Sequence, residues 1–565
     1  MSIMEIAHHS QSTSTHQPDS GAKETPFAKA YITLTRQEHV RLKWGSRYWQ
    51  RQHARAIAQI AELKKQQQAY EAKIRDLTQR LYGKHSEKGS APSEAQASET
   101  KPKKPRGQVQ GSKGHGRTPR PRLPVIEESR DLPPDEQSCP HCNEAFDPFP
   151  GTEDSEIIEI SVKAYVRKIK RVRYKKRCKC PGVPGLITAP PAPRLIPKSS
   201  LGVSIWVEVL LGKFLRCIPT NRLCADLKSL GAPIAMGTLT GGLKMMSPLF
   251  KPLIAAFLDK HLTEKQFNGD ETTWKVFEEI AGKIGYRWYL WMTRSASVIY
   301  YWMAPGRGAD VIKKHMAGLN LETQVIFVCD RYVAYKCWAK DDPMILLAFC
   351  WAHVRRDFLD SARAWPDLAE WMHTWVEDIG LLYHLNAQRL EVWDKSLPMA
   401  SQSPIFQARH LALTDSLTAL ATKRDVVLAE PKLHSIKKKV LSSLDNHWSG
   451  LTVFLDHPAI PMDNNSAETS LRNPVTGRKN YYGSGTVWSA NFAAMLFSIL
   501  QTVILWGLNP RHWLHAYLTA CAENGSLPPT DLTPFLPWAM DEARRRELAQ
   551  PLILDFPEQS HPDTS

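Results

Sequence analysis

Three short stretches place carboxylates where a carboxylate is costly or well positioned for chemistry. The run VIFVCD, residues 325–330, leads four strand-forming apolar residues and a cysteine straight into Asp330. Burying a charge beside such a run is unfavourable unless something compensates it. Asp270 stands in GDET, flanked by strand-like residues, and Glu468 stands in DNNSAETSLR. There Asp463 or Asn464 can cap a helix start, which puts Glu468 one turn in and Arg472 at i+4 on the same face. If the strands of Asp270 and Asp330 are neighbours, the two anions converge and repel unless a divalent cation lies between them. Oxygen ligands favour Mg²⁺ or Mn²⁺ over zinc. Two plainer readings compete: Asp330 as the cap of the turn that follows it, and Glu468 with Arg472 as a surface ion pair.

The elements that must position these acids can be read from residue patterning. KQFNGDETTWKV, YRWYLWMTR and SVIYYWMA read as three strands of a meander, 306–319 as a helix, VIFVCD as a fourth strand, and MILLAFCWAH as a fifth strand and its exit. This mixed α/β order is that of the ribonuclease-H-like fold, with Asp270 on the first strand and Asp330 at the end of the fourth. The interval from Asp330 to Glu468 is far longer than a strand and a helix need. Residues from about 359 to 446, with Trp365, Trp371, Trp375, Trp393 and many leucines, read as a helical insertion. Trp274 and Trp351 read as core. The segment 490–508 is nearly long enough to cross a bilayer, but it carries Asn491, Ser498, Gln501 and Thr502 and reads as a buried core helix. No membrane partner is expected.

At 565 residues the chain is too long for one core, and several domains are expected. Its net charge of +16 suits a nucleic-acid binder or a protein of acidic surfaces. The N-terminus shows no secretory signal pattern, so a reducing cytoplasm is the default compartment. Residues 1–34 are polar and read as a disordered tail. Over 35–83, Ala56, Leu63, Tyr70 and Leu77 recur every seven residues, with Ile60, Gln67, Ile74 and Leu81 on the partner register. That is a coiled-coil seam, although an amphipathic helix docked on its own protein would look similar. Residues 84–130 form a basic linker rich in Pro, Gly and Ser.

Within 131–187, Cys139 and Cys142 form C-x-x-C and Cys178 and Cys180 form C-x-C, a set able to hold one tetrahedral Zn²⁺. A redox C-x-x-C is the competing reading, and His141 reads as a loop residue or a substitute ligand. The intervening EISVKAYVRKIKRVRYKKR alternates apolar and basic residues, as a basic strand pair does. Residues 198–260 outline a helix-turn-helix-like domain, with a helix through Leu223 and Leu227, a turn at 231–233 and a second helix from about Thr238. A catalytic domain over 262–525 and a C-terminal tail over 526–565 complete the division.

The motifs RLYGKHSEK, SCPHC with CKC, GDET, CDRYVAY, FCWAHVRRDF, DNNSAETSLR and GRKNYYGSG resemble the insertion sequence 66 family of bacterial transposases, in their large catalytic subunit. The resemblance spans residues 35–525. It implies a DDE-type triad of Asp270, Asp330 and Glu468 on a ribonuclease-H-like core, a zinc-finger-like module at the four cysteines, and two small accessory proteins of the same element. The chemistry implied is hydrolysis and transesterification of DNA phosphodiesters, with two divalent ions roughly 4 Å apart clamping the scissile phosphate. Arg472, Arg478, Lys479, Arg355 and Arg356 are expected to hold the DNA strand, and the glycines of Gly483-Ser484-Gly485 to permit close backbone approach to it. His353 either reaches the site or packs structurally.

The expected partners are double-stranded DNA, as the element's terminal repeats and its target, and a second copy of the chain in a synaptic complex. The expected location is the bacterial cytoplasm, on the nucleoid when DNA is bound. Two rivals stand beside this reading: a non-catalytic zinc and helix-turn-helix regulator, and a metal-dependent nuclease that cuts without joining.

Overall fold

The computed structural model describes residues 35–82, 141–145, 164–175 and 186–552, with isolated residues between 133 and 184. Helix α1 (Arg36–Tyr82) stands as a unit of its own. The expected seam residues Ile60, Leu63, Tyr70 and Ile74 are all exposed along it. Gln67, the polar seam position, donates to Glu71 Oε1 at 2.9 Å.

In the second unit, β1 (Arg173–Lys175) pairs antiparallel with β2 (Leu186–Thr188). The longer strand pair expected from the apolar–basic alternation therefore shrinks to three residues a side. Val166, Ile169 and Val172 stay exposed, so among the described residues no packed layer rewards the alternation. Cys139, Cys178 and Cys180 lie outside the described residues, and Cys142 is exposed.

From residue 203 the chain is helical: α2 (Val203–Leu210), a π-turn over Leu211–Leu215, α3 (Thr220–Ser229), α4 (Met236–Met246) and α5 (Lys251–Leu262). The helix–turn–helix outline is present, with Leu223 and Leu227 buried and Gly231 at positive φ. It does not have a core of its own. Trp206, Leu239, Leu243 and Phe257 share one continuous apolar cluster with Trp274, Leu290 and Tyr301 of the strands that follow. The expected boundary near 260 is thus crossed by packing.

Those strands are β3 (Gln266–Lys275), β4 (Arg287–Arg294) and β5 (Ile299–Ala304), followed by α6 (Ala309–His315), β6 (Val325–Cys329), α7 (Val333–Ala339) and β7 (Ile345–Phe349). They form one mixed sheet in the order β5-β4-β3-β6-β7. β3 is antiparallel to β4 and parallel to β6, and β6 is parallel to β7. Then come α8 (Trp351–Ala364), α9 (Ala369–Glu391), α10 (Pro404–Leu428), α11 (Ser435–Asn446), the single turns α12 (Trp448–Leu451) and α13 (Val453–Asp456), α14 (Asn465–Tyr481), α15 (Val487–Leu505), α16 (Pro510–Glu523) and α17 (Glu542–Ala549). A second cluster, on the other face of the sheet, joins Phe267, Trp291 and Phe327 to Trp351, Trp375, Leu413 and Leu441 of the inserted helices. Trp274 and Trp351 are both core, as expected.

The apolar helix α15 is long enough to cross a membrane, yet most of it is buried in the first cluster. Its polar residues explain why it belongs there. β5 is a sheet edge, and edges leave backbone N–H groups unpaired. Ser498 Oγ accepts from Tyr301 N–H at 2.8 Å and Thr502 Oγ1 from Ile299 N–H at 3.0 Å, so α15 closes that edge.

Two expectations fail here for packing reasons. Residues 526–552 are not a tail: Phe535, Met540 and Leu548 are buried, and Trp513 Nε1 donates to Phe535 O at 3.1 Å. The 483–485 segment is not a free loop for DNA. Ser484 forms a parallel bridge with Val276, and its N–H donates to Lys275 O at 2.9 Å. Gly483 has φ +146 and a Cβ there would meet Lys275 O at 2.2 Å, so glycine serves close approach to the protein's own strand.

Gly269 of GDET has a packing cause as well. A Cβ at this position would lie 2.2 Å from Phe327 Cζ, within the layer between β3 and β6. Gly269→Ala is therefore expected to destabilise the fold by about 1–3 kcal/mol, the usual penalty for overpacking a filled core. Thermal unfolding of the variant checks this, and an unchanged melting temperature would contradict it.

Candidate active site

Strand register brings the first two acids together. β3 and β6 pair Gln266 with Ile326, Phe267 with Phe327 and Asn268 with Val328. Continued two residues onward, that register sets Asp270 level with Asp330, and equal register on adjacent strands means the same face. Cys329 ends β6, so Asp330 stands just beyond the strand. Each acid uses one oxygen locally: Asp330 Oδ1 accepts from Tyr332 N–H at 2.9 Å, and Asp270 Oδ1 from Glu271 N–H at 2.8 Å. The turn-capping reading of Asp330 is thus met by a single oxygen, and it does not exclude a second role.

The third acid is delivered by α14, which crosses the same face of β3. Asn464, at its N-terminal boundary, is 1% exposed and does not cap the helix with its side chain. It bonds to β3 instead: Nδ2 donates to Gly269 O at 2.8 Å, and Oδ1 accepts from Asn268 Nδ2 at 2.9 Å. Asp463 Oδ1 accepts from Asn465 N–H at 3.0 Å, the capping role expected of one of the pair. Asn464 N–H is held by Cys350 Sγ at 3.2 Å. This ties α14 to the strand residues beside Asp270 and to the start of α8. Pro474 removes one helix N–H, and the carbonyl it would have satisfied, Ser470 O, accepts from the buried Tyr301 hydroxyl at 2.8 Å.

Glu468 does not pair with Arg472 among the described residues. Its Oε1 lies 3.6 Å from His353 Nε2, and its Oε2 lies 3.9 Å from Arg356, both on α8. Oε1 is buried with no hydrogen-bond partner, and so is His353 Nδ1. His353 is thus at the site. Burial, then the Arg356 guanidinium, push its pKa below the ordinary value, against opposing pulls from Glu468 and Asp330. Asp270 is held well above the usual carboxylate range by burial first and by the charge of Glu271, and then by Asp330 and Glu468. The charges of Asp330 and Glu468 thus both reach Asp270.

The residues next to the acids are held from both sides. Arg331 is bonded to Asp357 of α8 and to Ser443 of α11, the latter at 3.0 Å. On the opposite face of β3, Glu271 has a side chain 1% exposed and bonded to Arg307. It also accepts from the Tyr335 hydroxyl at 2.5 Å. Arg307 lies 3.8 Å over the Tyr332 ring, and Tyr332 donates to Arg307 O at 2.8 Å. Burial raises the Glu271 pKa against the pull of Tyr335 and Arg307. The sequence marked Glu271 only as a neighbour of Asp270; a glutamate inside a strand flanked by aromatic residues was the available signal.

Of the expected DNA-contacting cations, Arg356, Arg472 and Lys479 are exposed and Arg355 is half-buried. Arg478 is spent elsewhere: it donates to Thr272 Oγ1 at 2.9 Å, and to Thr273 Oγ1 and the Thr273 carbonyl, tying the end of α14 to β3. Burial lowers its pKa.

The acids suit a hard divalent ion by their chemistry, and Glu468 Oε1 is buried without a hydrogen bond. Among the described residues no three His, Cys, Asp or Glu side chains are already gathered at ligand distance. An ion would therefore have to draw these carboxylates inward.

A family model described as transposase IS66 family matches residues 198–492, just over half of the chain, including all three acids. The uncharacterized protein y4jD of Sinorhizobium fredii is 26% identical over 454 residues, 77% of this chain and 83% of that protein. The uncharacterized protein y4hP of the same organism is 25% identical over 401 residues, 66% and 68% of the two chains.

Proposed function

The chain belongs to the IS66 family of transposases, and from that premise we propose that it binds the ends of an insertion sequence and cleaves and joins DNA strands at Asp270, Asp330 and Glu468. The observation that supports this reading is that the register of β3 on β6, continued, reaches Asp270 and Asp330, while the Asn464 bonds tie the start of the helix of Glu468 to β3. The order β5-β4-β3-β6-β7, antiparallel on one side of β3 and parallel on the other, supports a ribonuclease-H-like core.

In this reading Asp270, Asp330 and Glu468 hold Mg²⁺ or Mn²⁺. Such ions, when bound, supply Lewis acidity to the phosphate and a more acidic attacking hydroxyl. The remaining work falls to the chain itself. Asn464 and Asn268 fix Glu468 against the strand of Asp270, and Arg331 and the Glu271–Arg307–Tyr332 group fix the backbone after Asp330. Arg356, Arg355, Arg472 and Lys479 offer cations to the phosphates of the strand being cut. His353 lies against Glu468, 3.6 Å from its Oε1, and helps to hold that carboxylate in place. Helix α1, with an exposed apolar seam, pairs two copies so that two element ends can be brought together. A cysteine zinc module, the helix–turn–helix segment and two accessory proteins assist recognition, and the protein works in the bacterial cytoplasm.

Incubating the purified protein with DNA bearing the element's end and Mg²⁺ tests the proposal. Cleaved ends and joined products are expected. Binding without cleavage would contradict the enzymatic reading, and cleavage without joined product would reduce it to a nuclease.

A further inference from the structure

Helix α11 of the insertion reads SIKKKVLSSLDN and sits directly beside the candidate site. Ser443 accepts from Arg331, the residue after Asp330, at 3.0 Å. One turn on, His447, the residue after the helix, meets Lys336 Nζ at 3.0 Å. Lys439 stands one turn before Ser443 on the same stripe, and successive turns of this stripe are roughly 6 Å apart. Along the helix, Arg331 thus stands between Lys439 on one side and Lys336 on the other, with Asp357 balancing Arg331.

The lysines at the start of α11 are poorly explained by helix stability. Cations near a helix start gain nothing from its dipole, and α11 has no acid in its first turn. Lys437 is accounted for, because its ammonium lies 4.6 Å over the Trp371 ring. Lys438 and Lys439 are exposed and make no ion pair among the described residues. The only acid of α11, Asp445, is paired with Arg424 of α10 at 3.2 Å. A pair of unneutralised cations, on a helix that also touches the residue after Asp330, matches a polyanion.

We propose that α11 is a DNA-binding ridge, on which Lys438, Lys439 and Lys336 hold backbone phosphates of the duplex on one side of the cut position. The proposal rests on the reading of the acids as a DNA-cleaving site and gives the helical insertion a role in it: holding the DNA that flanks the chemistry. Contacts of this kind position without reading sequence.

The test uses the full chain and a mixed-sequence duplex of several helical turns, with affinity measured across a salt series. The double variant Lys438→Gln, Lys439→Gln is expected to lower the slope of log affinity against log salt by about two, and to weaken binding alike for every sequence. Its melting temperature should stay close to that of the parent, since both side chains are exposed. In the parent, duplex DNA should shield both lysines from acetylation. An unchanged slope with unshielded lysines overturns the ridge while leaving the cleavage site standing. A parent chain that binds no duplex overturns both.

Discussion

Asp270→Asn is expected to slow DNA strand cleavage by roughly three orders of magnitude or more, equal to about 4 kcal/mol of transition-state stabilisation, while DNA binding is largely kept. The substitution retains size and one acceptor oxygen but removes the charge that a divalent ion needs. It also has a consequence for stability, with a defined sign. Burial and the neighbouring acids raise the Asp270 pKa in the folded chain. A carboxyl whose pKa is raised by folding favours the folded state at low pH, and that contribution is lost as pH rises through the raised value. Near neutral pH, without divalent ions, the charged carboxylate therefore weighs against the fold. Asp270→Asn should melt at a higher temperature than the parent in chelator. Adding Mn²⁺ should raise the melting temperature of the parent and leave that of the variant nearly unmoved. Cleavage at parental rates in the variant, or the same Mn²⁺ response in both proteins, would rule out this assignment.

Asn464→Ala should be the most damaging change outside the acids. The side chain is almost wholly buried and bonds twice to β3. Truncation leaves the Gly269 carbonyl and the Asn268 amide without those partners in the interior, and each such group costs about 1–3 kcal/mol. A loss of roughly 2–6 kcal/mol in unfolding free energy is expected from the two together. Cleavage should fall as well, by more than the folded fraction explains, because the start of α14 is what carries Glu468 to Asp270. Asn464→Asp tests the same contact differently: one oxygen can still accept from Asn268, but the donor to Gly269 O is gone. Denaturant unfolding and single-turnover cleavage, read together, check both variants. Parental values in each would show that α14 is held by other means.

The strands and the two aspartates were legible in the sequence because they rest on local rules. Short apolar runs bounded by turns gave β3 to β7 in order and made β3 and β6 neighbours, whereas their register is set by pairing across the chain. Glu468 was legible as a helix residue, but its partners were not. Helical spacing suggested Arg472, whereas α8 approaches from across the chain and presents His353 and Arg356. Asn464 was legible as a cap and serves instead as a tether, because a strand carbonyl 195 residues away in sequence lies within its reach. The same limit explains Arg478: an arginine beside a candidate site reads as a phosphate ligand until the strand ending at Lys275 takes up its donors. The C-terminal residues looked like a tail because Phe535, Met540 and Leu548 are spaced without helical or strand periodicity, and only the three-dimensional core reveals their pockets.

The central claim is that three acids far apart in the chain share divalent ions at one place. Soaking crystals of the full chain with Mn²⁺ and recording the anomalous signal tests it most directly. The account predicts Mn²⁺ in contact with carboxylate oxygens of Asp270, Asp330 and Glu468. Manganese bound elsewhere, or held by one of these residues while the other two point away, would contradict it.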